Sequence, residues 1–190
     1  MKKFFKGTLF LVVGNSGSGK DSIISGVMKK YPSDLKRVYL ARRYITRPPS
    51  EFEDNYSITP EEFDLEESDG KFALKWKIYG LAYGVSIEIE NWLEKGHPVI
   101  VNVSRMIIDE ARGIYDNIKV VFIEVPLEIT INRLKERGRE KGELLEQRIE
   151  RAKGNQKLTG ADFTVDNSGK LEEAIDKFLH FLINIMATNQ

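Results

Sequence analysis

The chain has 190 residues, 41% apolar and 31% charged, enough for one domain with a sizeable core. Its 29 basic residues balance 29 acidic ones, which excludes a chain-wide field for DNA or membrane and makes any anion site local. With no cysteine there is neither a disulfide frame nor a thiolate metal site.

The first predicted element is a strand over residues 8–13, an apolar run behind a basic start. That run is too short for a signal peptide, and no stretch reaches transmembrane length. The expected compartment is therefore the cytoplasm, with no membrane or nucleic-acid partner. Gly14, Asn15, Ser16, Gly17, Ser18, Gly19, Lys20, Asp21 and Ser22 follow, with glycines and lysine spaced as in a phosphate-binding P-loop. Glycines let successive N–H groups turn toward one anion. The helix predicted from Ser22 to about Tyr31 adds its positive end, and Lys20 adds a mobile charge. Asp21 stands where a Ser or Thr normally holds Mg²⁺.

Val38 to Tyr44 reads as a second strand, closed by Thr46-Arg-Pro-Pro49. Residues 50–58 read as a polar loop. Thr59-Pro-Glu-Glu62 carries the signature of a capped helix start. A strand is expected over 71–79, a turn at Gly80-Leu-Ala-Tyr-Gly84, and a helix capped by Ser86 and stopped by Gly96. The run 98–103 suits a buried parallel strand, with a helix from about Met106 to Tyr115. Then come a strand over 119–125, a helix from Pro126 to Arg137, a break at 138–142 and a polar helix over 144–153. A short strand at 163–165 and an amphipathic helix from Leu171 to Met186 close the chain.

Alternation of strands and helices implies an α/β fold with an open, mostly parallel sheet. Ligands of such sheets bind at the carboxyl ends of strands, so residues 14, 44 and 103 are expected to line one crevice. The stretch 45–85 is too long for one crossover and reads as an inserted subdomain. The Arg-rich stretch around 138–142 reads as a mobile lid.

Two groups of arginines stand out. Arg133 and Arg137 share a helix face, Arg139 follows, and Arg148 and Arg151 lie just beyond. They suit the charge of a phosphoryl group in transfer; the alternative is a solvated face paired with Glu136, Glu140, Glu143 and Glu146. Arg42, Arg43, Arg47 and Arg105 suggest a second anion site for a phosphorylated acceptor, against ordinary surface charge. Arg42 and Arg43 are adjacent, so an extended backbone sends them to opposite faces. Tyr56, Tyr79 and Tyr83 could bond or pack a substrate. Trp76 and Trp92 read as core, and His97 and His180 as structural. Mg²⁺ is expected with nucleotide phosphates. The strand end that normally carries an acidic metal-site residue here offers Asn102 and Ser104, which leaves Asp21 as the candidate metal ligand.

Several blocks resemble the guanylate kinases and their relatives over nearly the whole chain. They are Gly17-Ser-Gly-Lys-Asp-Ser22, Arg43-Tyr-Ile-Thr-Arg47, Phe72-Ala-Leu-Lys-Trp76, Gly80-Leu-Ala-Tyr-Gly-Val85, Val101-Asn-Val-Ser-Arg105 and Arg137-Gly-Arg-Glu140. Within that group the chain is most similar to the ribose 1,5-bisphosphate phosphokinases of phosphonate metabolism, whose P-loop also reads Lys-Asp-Ser. The resemblance implies the three-layer fold of P-loop nucleoside-monophosphate kinases, as one domain. Its parts would be a core (1–44, 86–132, 155–190), an acceptor-binding insertion (45–85) and a lid (133–154). It implies ATP and Mg²⁺, with a small phosphorylated sugar as acceptor. Catalysis would fall to Lys20, Arg133, Arg137 and Arg148, and acceptor binding to Arg43, Arg47, Tyr56, Tyr83, Asn102 and Arg105.

Three departures from true guanylate kinases bear on the acceptor. Their second arginine falls at Ser50, their guanine-reading glutamate at Leu74, and their later acids at Asn102 and Ser104. Guanine N–H donors want carboxylate acceptors, which Leu74 cannot supply. The expected reaction is ATP plus ribose 1,5-bisphosphate giving ADP and 5-phosphoribosyl 1-diphosphate. A guanylate kinase, another sugar-phosphate kinase and a non-catalytic binding module are the alternatives. The choice of Glu53 or Asp54 at the acceptor, and homo-oligomerisation, stay open.

Overall fold

The computed structural model of the chain describes residues 2–49, 54–138 and 141–188. Five strands form one sheet in the order β2-β7-β1-β8-β9, and four form another in the order β4-β3-β6-β5. In the first sheet they are β1 (Leu9–Val13), β2 (Tyr39–Ala41), β7 (Val99–Asn102), β8 (Ile118–Glu124) and β9 (Phe163–Asp166). In the second they are β3 (Arg43–Ile45), β4 (Tyr56–Ser57), β5 (Phe72–Ile78) and β6 (Leu81–Ser86). The chain divides into two compact units, Met1–Leu11 with Ser33–Lys119, and Val12–Pro32 with Val120–Gln190.

Every residue of β1 is buried, as expected of an apolar strand covered on both faces. In the unit containing Val12–Pro32, helix α1 (Lys20–Lys30) turns Ile23, Ile24 and Val27 inward. It carries Asp21 in its first turn and Lys29 and Lys30 in its last, matching the helix dipole. Pro32 ends it by holding Tyr31 extended (φ −62°, ψ 129°). The closing helix α7 (Leu171–Thr188) buries Ala174, Ile175, Phe178, Leu179, Leu182 and Met186, an apolar stripe at helical spacing. It packs against α1 where Gly26 leaves room for the Ile175 side chain. Strands β8 and β9 pair in parallel from Val121↔Phe163 to Glu124↔Asp166. Two further helices, α5 (Leu127–Arg137) and α6 (Glu143–Gly154), belong to this unit.

In the other unit, β2 pairs in parallel with β7, from Tyr39↔Val99 to Ala41↔Val101. The strand expected over 38–44 is thus two strands. After Ala41 the chain leaves the parallel sheet, and β3 pairs antiparallel with β6. Arg42 sits at the transfer point, exposed, ion-paired with Asp54 and with its guanidinium 5.0 Å from the Tyr56 ring centroid. The loop expected over 50–58 contains β4, paired with β3 through Tyr44↔Tyr56.

The turn expected at 80–84 is also corrected. The chain reverses at Tyr79-Gly80, both left-handed (φ 54° and 72°), and residues 81–86 are strand. Gly84 serves as a strand glycine, because a Cβ there would meet the Phe72 ring at 2.5 Å. A register shift between Phe72 and Leu74 puts Phe72 on the Gly84 side of the ladder. Helix α3 (Ile89–Glu94) starts later than expected. The Ser86 hydroxyl accepts from Glu88 N at 3.2 Å, but Glu88 is the N-cap. The helix expected from Met106 opens as a 3₁₀ turn, Arg105–Ile107, before α4 (Ile108–Ile114).

Trp76 is buried and stacked on Tyr83 (5.1 Å, 3°). Trp92 is half-buried and stacked on Tyr39 (4.7 Å). His97 Nδ1 lies 2.8 Å from the Arg37 carbonyl and His180 Nδ1 2.7 Å from that of Asp176, which fits structural roles. No helix among the described residues is long and apolar enough to cross a membrane.

The expected capped helix is α2 (Pro60–Ser68). The Thr59 hydroxyl accepts from Glu62 N at 3.1 Å, and the Glu62 carboxylate accepts from Thr59 N at 2.7 Å. Phe63 is thereby held inward and stacked on Phe72 (4.7 Å). Thr59→Ala should lower stability by about 1 kcal/mol in denaturant melts, with Thr59→Ser close to wild type. Equal stability of all three proteins would remove the cap from the account.

Candidate active site

The phosphate-binding loop connects β1 to α1. Gly17 and Gly19 both adopt φ 83°, which side-chain-bearing residues rarely occupy. Space also demands glycine. A Cβ on Gly17 would stand 3.2 Å from the Thr130 carbonyl, and one on Gly19 would stand 2.5 Å from Asn167 Nδ2. The loop is therefore bare main chain on its tight side, as an anion cradle requires.

Lys20 reaches back along the loop. Its ammonium donates to the Gly14 carbonyl (2.8 Å), the Asn15 carbonyl (2.9 Å) and Ser18 Oγ (3.4 Å). Ser16 is where the second cationic group arrives. Its hydroxyl accepts from Arg137 Nη2 at 3.2 Å and from Arg148 Nη1 at 2.9 Å. Arg137 ends α5, where Gly138 turns left-handed (φ 61°) and stops the helix. Arg148 comes from the middle of α6. One turn before Arg137, Arg133 Nη2 donates to the main-chain carbonyl of Asn167 at 3.2 Å. Arg133, Arg137 and Arg148 are all half-buried. Two guanidinium groups on one neutral hydroxyl concentrate positive charge at the loop, chemistry that suits an anion. Arg151 is half-buried on α6, and Arg139 lies outside the described residues.

Asn15 holds the far end of α6. Its Nδ2 donates to the Ala152 and Asn155 carbonyls, at 3.4 and 3.1 Å. The Ala152 carbonyl lies in the last turn of α6, where it also accepts from Asn155 N at 3.2 Å, and Asn155 is the residue that follows the helix. Asp21 and Ser22 are exposed at the start of α1. Among the described residues, no group of three or more His, Cys, Asp or Glu could hold a metal. A single carboxylate still fits Mg²⁺, which keeps most of its waters and binds through one or two carboxylates plus phosphate oxygens. Asp21 supplies a donor of that kind.

The acceptor candidates lie in the other unit, on and beside the β4-β3-β6-β5 sheet. The ladder sorts them onto two faces. Arg43 pairs with Val85, Ile45 with Tyr83, and Trp76 with Tyr83, so Arg43 and Tyr83 share a face. Tyr44 pairs with Gly84 and with Tyr56, which places Tyr56 on the opposite face. Arg43 is half-buried and its Nε donates to Asn55 Oδ1 at 3.2 Å. Tyr83 is buried against Trp76, whereas Tyr56 is 44% exposed. Arg47 is half-buried two residues past β3. Asn102 is buried at the end of β7. Ser104 caps the 3₁₀ turn that begins with the half-buried Arg105. Leu74 is 1% exposed in β5, opposite Val85. Asp54 is ion-paired with Arg42; Glu53 and Ser50 lie outside the described residues.

Sequence reasoning missed Asn167. It falls between the strand expected over 163–165 and the helix expected from Leu171, with no spacing that ties it to residue 18.

A family model described as guanylate kinase matches residues 6–184. The ribose 1,5-bisphosphate phosphokinase PhnN of Chromobacterium violaceum is 38% identical over 177 residues, 93% of this chain and 94% of its own. That of Pseudomonas paraeruginosa is 38% identical over 178 residues (93% and 95%). That of Thiobacillus denitrificans is 36% identical over 186 residues (97% of each). Among solved structures, a guanylate kinase from Anaplasma phagocytophilum superposes with a TM-score of 0.67 at 16% identity, covering 95% of this chain and 86% of its own. A sugar kinase from Janibacter sp. superposes with a TM-score of 0.55 at 15% identity, covering 95% and 97%. At such identities the superpositions establish the fold alone.

Proposed function

From the premise that this chain belongs to the guanylate kinase family and, within it, to the ribose 1,5-bisphosphate phosphokinases, we propose that it transfers the γ-phosphoryl group of ATP to the anomeric phosphate of ribose 1,5-bisphosphate. The products are ADP and 5-phosphoribosyl 1-diphosphate. The bond between the β–γ bridging oxygen and the γ-phosphorus breaks, and one forms from an acceptor phosphate oxygen. That oxygen is anionic near neutral pH, so no general base has to remove a proton. What remains is positioning and charge stabilisation.

The main chain of residues 14–19 and Lys20 bind the nucleotide phosphates. Arg133, Arg137 and Arg148 answer the charge of the moving group. Segment 133–154 acts as the lid and excludes water, which limits ATP hydrolysis. Segment 45–85 binds the acceptor, with Arg43, Arg47, Tyr56 and Tyr83, helped by Asn102 and Arg105. Mg²⁺ screens the nucleotide phosphates when bound, and Asp21 is the carboxylate proposed to hold it.

The observation that carries the acceptor assignment is Leu74. Where guanylate kinases place a guanine-reading glutamate, this chain buries a leucine at 1% exposure. A guanine edge set against it would leave N–H donors unpaired, at a cost of about 1–3 kcal/mol. Guanylate kinase activity is the second reading, favoured by the family model over residues 6–184.

A coupled ADP-release assay over ribose 1,5-bisphosphate, GMP and other sugar phosphates tests the assignment. Ribose 1,5-bisphosphate should give the highest kcat/KM, and Arg47→Ala should raise its KM while ATP affinity holds. Preference for GMP would sink the acceptor reading. Asp21→Ser should shift the Mg²⁺ dependence of the rate to higher concentration; an unchanged Mg²⁺ titration would remove Asp21 as the ligand.

A further inference from the structure

Asn167 is the first residue after β9, and its backbone is pinned. Its N–H donates to the Glu124 carbonyl at 2.9 Å, continuing the β8–β9 ladder. The following turn is closed by Ser168 N donating to Asp166 Oδ1 at 2.8 Å. The residue is 3% exposed. From this fixed post two bonds reach the phosphate site. The side-chain Nδ2 donates to the Ser18 carbonyl at 2.8 Å, and the main-chain carbonyl accepts from Arg133 Nη2 at 3.2 Å. Asn167 thus touches both the P-loop and an arginine of α5.

The first bond sets a direction. In a trans peptide the C=O and the next N–H point opposite ways. With the Ser18 carbonyl drawn to Asn167, the Gly19 N–H must point away from it. A loop that binds anions depends on that polarity. The peptide between Ser18 and Gly19 is also easy to turn over, because glycine accepts both signs of φ. Something outside the loop must hold it, and Asn167 Nδ2 is the donor in place. The same contact explains why position 19 has no Cβ, which would meet Nδ2 at 2.5 Å.

We infer that Asn167 is a positioning residue for phosphoryl transfer, locking the Ser18–Gly19 peptide through its side chain and Arg133 through its main chain. The inference rests on the nucleotide half of the function proposed above and is independent of which acceptor is used.

Two variants separate positioning from simple structural support. Asn167→Asp keeps the shape but replaces the donor with a carboxylate facing the Ser18 carbonyl. Asn167→Ala removes the side chain and keeps the main-chain carbonyl that holds Arg133. ATP and ADP affinities are measured by calorimetry without acceptor, kcat and both KM values with ribose 1,5-bisphosphate, and Tm by melting. Both variants should weaken ATP binding and lower kcat by about tenfold or more, Asn167→Asp the more strongly. The acceptor KM should stay within about twofold, since misplacement is confined to the nucleotide side. A lowered Tm with nucleotide affinity and kcat unchanged would make Asn167 merely structural and overturn the inference; so would loss of fold in both variants. If wild type binds ATP but does not phosphorylate ribose 1,5-bisphosphate, the acceptor reading fails, and weakened ATP binding in the variants still supports Asn167.

Discussion

A loop flexible enough to curl around a phosphate is flexible enough to curl otherwise. That is the constraint on which the nucleotide site depends. Gly17 and Gly19 permit left-handed turns at no steric cost, and the same freedom raises the entropy that folding must overcome. Side chains remote in sequence supply the missing restraint. Asn15 caps the end of α6, Ser16 takes guanidinium groups from α5 and α6, and the Ser18 carbonyl is held by Asn167. Each tie links one loop residue to an element more than a hundred residues away, so the cradle is shaped by tertiary structure.

The same ties solve an electrostatic problem. A chain with no net charge must still attract a strongly anionic nucleotide. Lys20, Arg133, Arg137 and Arg148 are proposed to do so locally, and each is directed at an oxygen of the site's own framework, a loop carbonyl, a hydroxyl or the Asn167 carbonyl. Such preorganised donors serve phosphoryl transfer, where the protein contributes charge stabilisation and positioning more than covalent chemistry. Acceptor choice is proposed to rest on something different, what a strand buries. Leu74 faces the core of the β5–β6 ladder with Val85, and offers a ligand no polar atom.

How much of this the sequence disclosed follows from whether the cause was local. The P-loop was legible because glycine, lysine and the following helix lie within a dozen residues. The capped start of α2 was legible for the same reason, as Thr59 and Glu62 satisfy each other three residues apart. Misreadings fell where a distant partner decided. Gly84 looks like a turn residue, but it is a strand glycine under the Phe72 ring, while the reversal uses Gly80 together with the non-glycine Tyr79. Residues 38–44 look like one strand, because nothing local says that Ala41 and Arg43 pair with different sheets. The acceptor candidates were found as residue types, but only the ladder register puts Tyr56 and Tyr83 on opposite faces. Asn167 gave no signal, since its partner Ser18 is 149 residues away.

The central chemical claim is that the acceptor atom is a phosphate oxygen, which accounts for a site that needs charge and needs no base. Phosphorus NMR of the product made from ATP and ribose 1,5-bisphosphate tests this most directly. Transfer to the anomeric phosphate creates a diphosphate, whose two phosphorus nuclei split each other's signals, beside one unsplit signal from the 5-phosphate. Three unsplit monoester signals would instead mean transfer to a sugar hydroxyl, and would contradict the account.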